Sequence, residues 1–263
     1  MHPFISLPFG KIGSFPLCIG AGLMILVLLF LYRARRMGLP VATVNDRLLP
    51  ALPLCLLFGV VSGAVTDVLF HDGVRQVFAH PFGRGLNYFG WLLGCMLFWI
   101  AFGRMAGIPV LLLLELFVPG CLPAQAVGRL GCFLGGCCYG IPVRAPWGVV
   151  YPAGSPPCVA YGSVPLCPVQ LYEAGWLLVA FTLAMTAVKA GYRAGFSLVA
   201  CGAGRIALEL LRGDSRGTIL EGVPVSPGQF LGGVFVLVGG MMMIGRRIQD
   251  RGNRTSVLNA TSN

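Results

Sequence analysis

Apolar side chains run along this chain in long unbroken stretches and do not alternate with polar ones. Seven stretches of about 20 mostly apolar residues cover residues 15–32, 49–70, 87–105, 108–127, 170–188, 195–211 and 228–245. Such runs are long enough to cross a bilayer as helices, whereas a membrane β-barrel needs alternation. The pattern predicts an all-α integral membrane protein of about seven transmembrane helices, with residues 1–263 forming a single polytopic domain.

Basic residues between the runs predict an orientation. Arg33, Arg35 and Arg36 directly follow the first run, and no small-residue cleavage site follows it, so we expect a retained span and not a signal peptide. Placing these arginines inside puts most of the 19 Lys and Arg residues on the cytoplasmic side. The N-terminus is therefore expected outside and the C-terminus inside. The polar tail 253–263 is expected to be disordered.

Composition agrees with this class and narrows the choice of partners. Hydrophobic residues make up 56% of the chain and charged residues 11%, which excludes an ordinary soluble domain or a disordered chain. The net charge of +10 lies mostly in short segments between spans, where anionic lipid headgroups explain it. No stacking aromatics accompany the basic clusters, so we expect no nucleic acid partner. Composition therefore predicts a multi-pass membrane protein.

Charged residues inside apolar spans are costly and point to function. Arg205 and Glu209 lie four residues apart in the sixth span, and Arg212 continues the same helix face. Glu209 has two open interpretations, an ion pair that only holds helices together and a functional group. The arginines favour function, since a guanidinium suits a lipid phosphate. Glu115, four residues before Pro119, is expected to play a structural role.

The long connection at about residues 128–169 is rich in Gly, Pro and Cys, and such a loop is commonly functional. It begins with a glycine-rich segment that permits close backbone approach and includes Arg129, which can point a charge into the concavity. This segment is predicted to bind a lipid headgroup through Arg129 together with Gly128, Gly131, Cys132 and Gly140. Helix packing by small residues is the alternative.

A second polar segment opens the fifth span at the outer interface. It contributes Gln170, Tyr172 and Glu173 as candidate substrate-binding residues. For Tyr172 alone, an interfacial anchor is an equally simple interpretation.

Five of the ten cysteines crowd the outward loop, where an oxidising compartment permits disulfides. Whether any of them are paired stays open. A zinc site of Cys132, Cys137, Cys138 and Cys167 is not favoured, because the spacing matches no usual pattern and no histidine is near in sequence. We expect no metal and no cofactor. His71 and His80 are expected to be solvated loop residues.

Taken together, these segments resemble the prolipoprotein diacylglyceryl transferase family. The family's signature loop is similar to Gly128–Phe133, with its closing glycine at Gly140. The likeness extends to other elements, namely Glu115 and Pro119, the PVQLYE segment at 168–173, the GRIALELLR segment at 204–212, and Ser226, Gly228 and Gln229.

The resemblance implies transfer of diacylglycerol from phosphatidylglycerol to the lipobox cysteine in the signal peptide of a prolipoprotein, with glycerol phosphate leaving. By that likeness Arg129 and Arg205 bind and stabilise the phosphate, Glu209 orients Arg205, and Arg212 assists. The bilayer, phosphatidylglycerol and the prolipoprotein signal peptide are the expected partners.

This sequence departs from the family pattern at several polar positions. An asparagine, an acid, two histidines and a tyrosine of the family correspond here to Cys132, Cys137, Phe89, Cys167 and Cys201. Because Phe89 replaces the usual candidate base, the step that activates the acceptor thiol needs another group. A thiolate near Arg129 is one hypothesis, with Cys137 or Cys138 as base or nucleophile.

Three alternatives remain. The first is a transferase with the same lipid donor and a different acceptor. The second is a membrane thiol-disulfide protein that uses Cys132, Cys137 and Cys138, and the third is an inactive paralogue that retains lipid binding. Against the redox alternative, the chain has no Cys-x-x-Cys pair.

Overall fold

The computed structural model describes residues 4–7, 10–71, 87–144, 146–214 and 225–261. A short antiparallel ribbon comes first, with β1 at Phe4–Leu7 and β2 at Gly10–Gly13. A π-helical turn at Thr43–Leu48 precedes the second helix. The helices are α1 Ser14–Arg36, α2 Leu49–His71, α3 Tyr88–Ala106, α4 Val110–Gly135, α5 Pro156–Tyr161, α6 Val169–Thr186, α7 Arg193–Glu209 and α8 Pro227–Thr261.

Six helical segments of the described chain are long and apolar enough to cross a membrane, which confirms the predicted all-α membrane class. They are Ser14–Arg36, Thr43–Phe70, Tyr88–Ala106, Val110–Gly135, Val169–Thr186 and Pro227–Gly252. The predicted sixth span is also a helix, but α7 has only 17 residues and carries Arg205 and Glu209. The orientation of the bundle in the membrane stays a prediction.

Local signals explain where α3 begins and where both α3 and α4 end. The Asn87 side chain accepts hydrogen bonds from the backbone N–H groups of Phe89 and Gly90 at 3.0 and 3.3 Å, so it caps the start of α3. Gly107 and Gly136 take the left-handed conformation that ends α3 and α4.

Helix α4 is the centre of the bundle. Sixteen of its 26 residues are buried, and it packs against α1, α3, α6 and α7. Aromatic rings fill the adjoining core, where Phe30 stacks on Trp99 at 5.5 Å and Phe117 packs beside Trp99. The outer surface instead exposes large apolar side chains, as expected for a lipid-facing surface; among them are Met24, Leu28, Leu57, Leu237 and Met241.

The connection between α4 and α6 begins later than the predicted loop at about 128–169, because α4 continues as a helix to Gly135. Backbone bridges hold this connection in place. Gly140 pairs with Arg212, and Leu166 pairs with both Pro142 and Val149. A Cβ atom at Gly140 would lie 2.5 Å from the Cys167 carbonyl oxygen and 2.7 Å from that of Leu211. Only glycine fits between these two strands of chain, so the connection is held close to the end of α7.

The sequence predicts a disordered tail at 253–263 and two solvated loop histidines. Helix α8 continues to Thr261, so the backbone is helical over most of the tail for which we predicted disorder. The side chain of His71 and all of His80 lie outside the described residues.

Candidate active site

Four charged side chains from three helices meet inside the bundle. Arg129 comes from α4, Glu173 from α6, and Arg205 and Glu209 from α7. The Nε atom of Arg129 lies 2.9 Å from Oε1 of Glu173, and Nη1 of Arg205 lies 3.8 Å from Oε2 of the same carboxylate. Glu173 therefore bridges two guanidinium groups and joins all three helices.

The first half of this cluster surrounds Arg129 and Glu173. The amide nitrogen of Gln125 donates to Oε1 of Glu173 at 3.1 Å, and its carbonyl oxygen accepts from the Cys201 thiol at 3.5 Å. The side chain of Glu173 is 4% exposed and that of Arg129 is 12% exposed. The ion pair is shielded from solvent, and Arg129 keeps some access.

The second half surrounds Arg205 at the start of α8. Its Nη2 atom pairs with Glu209 one turn away, and Ser226 donates to the other oxygen of Glu209 at 2.7 Å. A Cβ atom at Gly228 would lie 2.7 Å from both Nε and Nη2 of Arg205, so the guanidinium lies against bare backbone. Its Nη1 atom is buried and makes no hydrogen bond with a described residue. That donor is free to bind an anion.

Arg212 closes the cluster at its edge. It binds Asp214 through two hydrogen bonds, 2.9 and 2.7 Å long, and lies 3.9 Å from Glu209. Burial lowers the pKa of Arg212, but the hydrogen bonds and negative charge of Asp214 outweigh burial, so the pKa is raised and the cation is kept.

Three thiols lie beside the cluster. The sulfur atoms of Cys132, Cys137 and Cys138 all lie within 4.8 Å of one another. All ten cysteines lie among the described residues, and no two of them form a disulfide there. Contact with the thiols of Cys132 and Cys137 lowers the pKa of Cys138, and the positive charges of Arg212 and Arg129 lower it further. The same contacts raise the pKa of Cys137.

Gln170 fixes the backbone of this thiol loop. Its amide nitrogen donates to the Cys137 carbonyl oxygen at 2.7 Å, and its oxygen accepts from the Tyr151 hydroxyl at 3.3 Å. Gln170 is 1% exposed, and its role in binding substrate stays a prediction. It acts on the loop and not on the arginines.

Several of the residues singled out in the sequence lie together, and others lie apart from the cluster. Gly131 packs on α1, where an added Cβ atom would lie 2.8 Å from that of Cys18, and Gly128 faces Ile19. Tyr172 is 38% exposed and donates to the Trp147 carbonyl oxygen, outside the bundle. For Gly128 and Gly131 the observed contacts are those of helix packing.

Sequence reasoning missed Gln125 and Asp214. Gln125 is a polar residue inside an apolar span, a signal that was available. Asp214 gave no such signal, because it lies beyond the span in a polar stretch. Phe89 is 3% exposed and packs on Phe235 and Tyr88, so an apolar ring fills the place of the family's histidine.

These features define a class, a multi-pass helical membrane protein with a buried cluster of arginines and carboxylates beside a cysteine-containing loop. The chain belongs to the prolipoprotein diacylglyceryl transferase family, whose model matches residues 3–245. It is 30% identical over 244 residues to phosphatidylglycerol–prolipoprotein diacylglyceryl transferase 2 of Clostridium perfringens, covering 89% of this chain and 90% of the relative. It is 28% identical over 249 residues to phosphatidylglycerol–prolipoprotein diacylglyceryl transferase of Clostridium tetani, covering 91% and 95%.

Proposed function

We propose that this protein transfers the diacylglyceryl group of phosphatidylglycerol to the lipobox cysteine in the signal peptide of a prolipoprotein. The family and the names of both relatives support this transferase activity. The apolar outer surface supports a position in a bilayer, and we place the protein in the bacterial inner membrane.

The reaction sets the chemical requirements of the site. The acceptor sulfur forms a bond to the glycerol carbon of the diacylglyceryl group, while the bond between that carbon and a phosphate oxygen breaks. The thiol proton is lost, and glycerol phosphate leaves with the electron pair of the broken bond. Fixed cations at that phosphate stabilise the charge that develops on the leaving group.

One observation carries the proposal, the pair of arginines held on either side of Glu173. Nη1 of Arg205 is a buried donor without a hydrogen bond to any described residue, and Arg129 approaches Glu173 through Nε. Guanidinium groups match a phosphate with two parallel donors. Arg129 and Arg205 therefore bind the phosphate, Glu173 and Glu209 orient them, and Arg212 assists from the edge.

The acceptor thiol must lose its proton to a group of the site. We assign this step to the thiol cluster, in which Cys138 faces the positive charges of Arg129 and Arg212. If turnover is unchanged when Cys137 and Cys138 are replaced by Ser, the assignment is wrong.

Release of glycerol phosphate from phosphatidylglycerol by the detergent-purified protein, with and without a lipobox peptide, tests the proposed function. We expect release that requires the peptide and is lost in Arg129→Ala. Arg36→Ala is the control, because Arg36 is exposed at the end of α1. Release that does not depend on the peptide would instead favour a different acceptor, and unchanged release in Arg129→Ala would contradict the phosphate site.

A further inference from the structure

The chain conformation at the end of α4 brings the thiol of Cys132 together with those of the consecutive residues Cys137 and Cys138. The helix ends at Gly136 with φ 73°, and the N–H of Cys137 turns back to bond the Cys132 carbonyl oxygen at 3.1 Å. Cys138 then takes φ 61°, a left-handed conformation that residues with a Cβ atom seldom adopt. Such strain is kept where it positions a functional side chain. Its effect here is to direct three thiols toward one point.

The spacing of these sulfurs fits a metal ion. A zinc ion bound to thiolates at about 2.3 Å holds their sulfur atoms roughly 3.8 to 4.0 Å apart. The three sulfurs already lie within 4.8 Å of one another, so a contraction of about 1 Å brings all of them into ligand range. The Gln170 hydrogen bond to the Cys137 carbonyl fixes the loop in this arrangement.

Charge and access agree with such a site. Three thiolates and one divalent cation carry a net negative charge, and the adjacent guanidinium groups of Arg129 and Arg212 offset it. Cys132 is buried and Cys137 is exposed, so the cluster reaches from the interior to the surface and an ion can enter. Three protein ligands leave one position of a tetrahedral ion open, as in catalytic zinc sites.

We propose that Cys132, Cys137 and Cys138 bind one Zn²⁺ ion, and that its open position takes the acceptor cysteine as a thiolate. The second part rests on the proposed function. The proposed metal site departs from our expectation of no metal, which rested on the cysteine spacing and on the lack of a histidine nearby in sequence.

A bound metal gives the thiol cluster a way to carry out the deprotonation that the proposed function assigns to it. Glu173 and Glu209 form ion pairs with arginines. Phe89, which the resemblance aligns with a histidine of the family, is a buried apolar ring and cannot accept a proton. On coordination the acceptor thiol releases its proton to water, because zinc-bound thiols are held as thiolates. The thiolate sulfur then forms the bond to the glycerol carbon, the bond from carbon to phosphate oxygen breaks, and glycerol phosphate leaves toward Arg129 and Arg205. The thioether product is a weak ligand and dissociates from the ion.

Metal binding is measured first, without lipid. Reduced, chelator-treated protein in detergent is titrated with Cd²⁺, a spectroscopic substitute for Zn²⁺, and thiolate charge-transfer absorption is followed. We expect saturation at one ion per chain and protection of three thiols from alkylation. Cys132→Ser, Cys137→Ser and Cys138→Ser should each weaken binding by more than the roughly 10- to 100-fold loss that outer-sphere changes cause.

Cys158→Ser is the matched control, since Cys158 lies in the same outward loop and its thiol faces Ser163 instead. It should bind Cd²⁺ like the unchanged protein. The alkylation measurement needs no variant, so it decides the outcome even if a substitution prevents folding. Absence of charge-transfer absorption, or no protected thiols, overturns the metal site.

Turnover is then compared for chelator-treated protein and protein reloaded with Zn²⁺. Activity that is lost on chelation and restored by Zn²⁺ supports the role in acceptor activation. If chelator-treated protein keeps full activity, the metal has no role in acceptor activation. If that metal-free activity is lost in Cys138→Ser, the Cys138 thiol acts directly as the base. Ion binding with no transferase activity under any condition supports the metal site and overturns the role in acceptor activation, because the proposed function itself has then failed.

Discussion

Helix α4 carries two buried ionic clusters, one at each end, and they differ in how their carboxylates are satisfied. Glu115 lies near the inner end on the expected orientation and Arg129 near the outer end, 14 residues or about 21 Å further along the helix. Both clusters join an arginine to a glutamate from another helix. Composition alone does not distinguish them.

In the inner cluster the carboxylate is saturated by the protein. Oε1 of Glu115 accepts from the backbone N–H of Ala194 at 2.8 Å, and Oε2 accepts from that of Gly191 at 3.2 Å. Arg33 donates to the Glu115 carbonyl oxygen and lies 3.9 Å from its carboxylate. Glu115 thus caps the start of α7 and ties it to α1 and α4, in agreement with the structural role expected for it.

In the outer cluster each carboxylate is shared between guanidinium groups. Glu173 lies between Arg129 and Arg205, and Glu209 lies between Arg205 and Arg212. Nη1 of Arg205 makes no hydrogen bond with a described residue, and neither does Nε of Arg33 in the inner cluster, so an unbonded donor alone does not distinguish the two. Saturation of the acceptor, more than the presence of buried charge, separates the structural cluster from the proposed catalytic one.

Replacing an arginine by lysine should separate the clusters most strongly. Arg129→Lys and Arg205→Lys keep the charge but remove the paired donors, so we expect turnover to fall roughly 100- to 1,000-fold. Arg33→Lys should lower the unfolding temperature and leave turnover per folded molecule near normal. Glycerol phosphate release and thermal unfolding, measured side by side, give both numbers. Equal losses of turnover in all three variants would contradict the assignment of the inner cluster to structure and the outer cluster to catalysis.

Removing a carboxylate should have the next largest effect. Breaking a buried ion pair at one partner costs about 3–5 kcal/mol, so Glu115→Gln and Glu173→Gln should both lower stability. Only Glu173→Gln should also reduce turnover of the folded fraction, by about tenfold, because both arginines lose their common anchor. If Glu115→Gln reduces turnover of the folded fraction as much, then the inner cluster also serves catalysis.

The fold was largely predictable from the chain, and the connections inside the site were not. Apolar run length identified the membrane class, because a bilayer allows few alternatives to helices. The spacing of Arg205 and Glu209 predicted their contact, since residues four apart share a helix face. That Glu173 bridges Arg129 and Arg205 depends on how α6 packs against α4 and α7, which no local pattern encodes.

Glycines illustrate the same limit. Gly128 and Gly131 are predicted to help bind the lipid headgroup because they flank Arg129 in sequence. In the structure both glycines face α1. Gly228 lies against the Arg205 guanidinium and was known only as part of the family resemblance. The neighbour that a glycine contacts depends on how its helix is rotated about its own axis in the bundle, which the local sequence does not specify.

A methyl group at these glycines should therefore give unequal results. Gly228→Ala would place Cβ 2.7 Å from two nitrogen atoms of Arg205, so the guanidinium must move, and we expect about a tenfold loss of turnover. Gly128→Ala meets only Ile19 at 3.5 Å, an ordinary contact, and should be neutral. Michaelis kinetics of both variants provide the comparison. A larger loss of turnover in Gly128→Ala than in Gly228→Ala would support the predicted role of Gly128 in substrate binding.

The smallest expected effect concerns the hydrogen bond from Ser226 to Glu209. The Ser226 hydroxyl donates to Glu209 at 2.7 Å and accepts from the backbone N–H of Gln229 at 3.1 Å, so it joins the cap of α8 to the anion beside Arg205. Ser226→Ala should cost about 1 kcal/mol, seen as a roughly fivefold decrease in kcat and a slightly lower unfolding temperature. Thr182→Ala is the matched control, because its hydroxyl bonds only within α6 to Leu178. If only the unfolding temperature decreases, Glu209 positions Arg205 without the hydrogen bond from Ser226. The start of α8 would then contribute to stability and not to turnover.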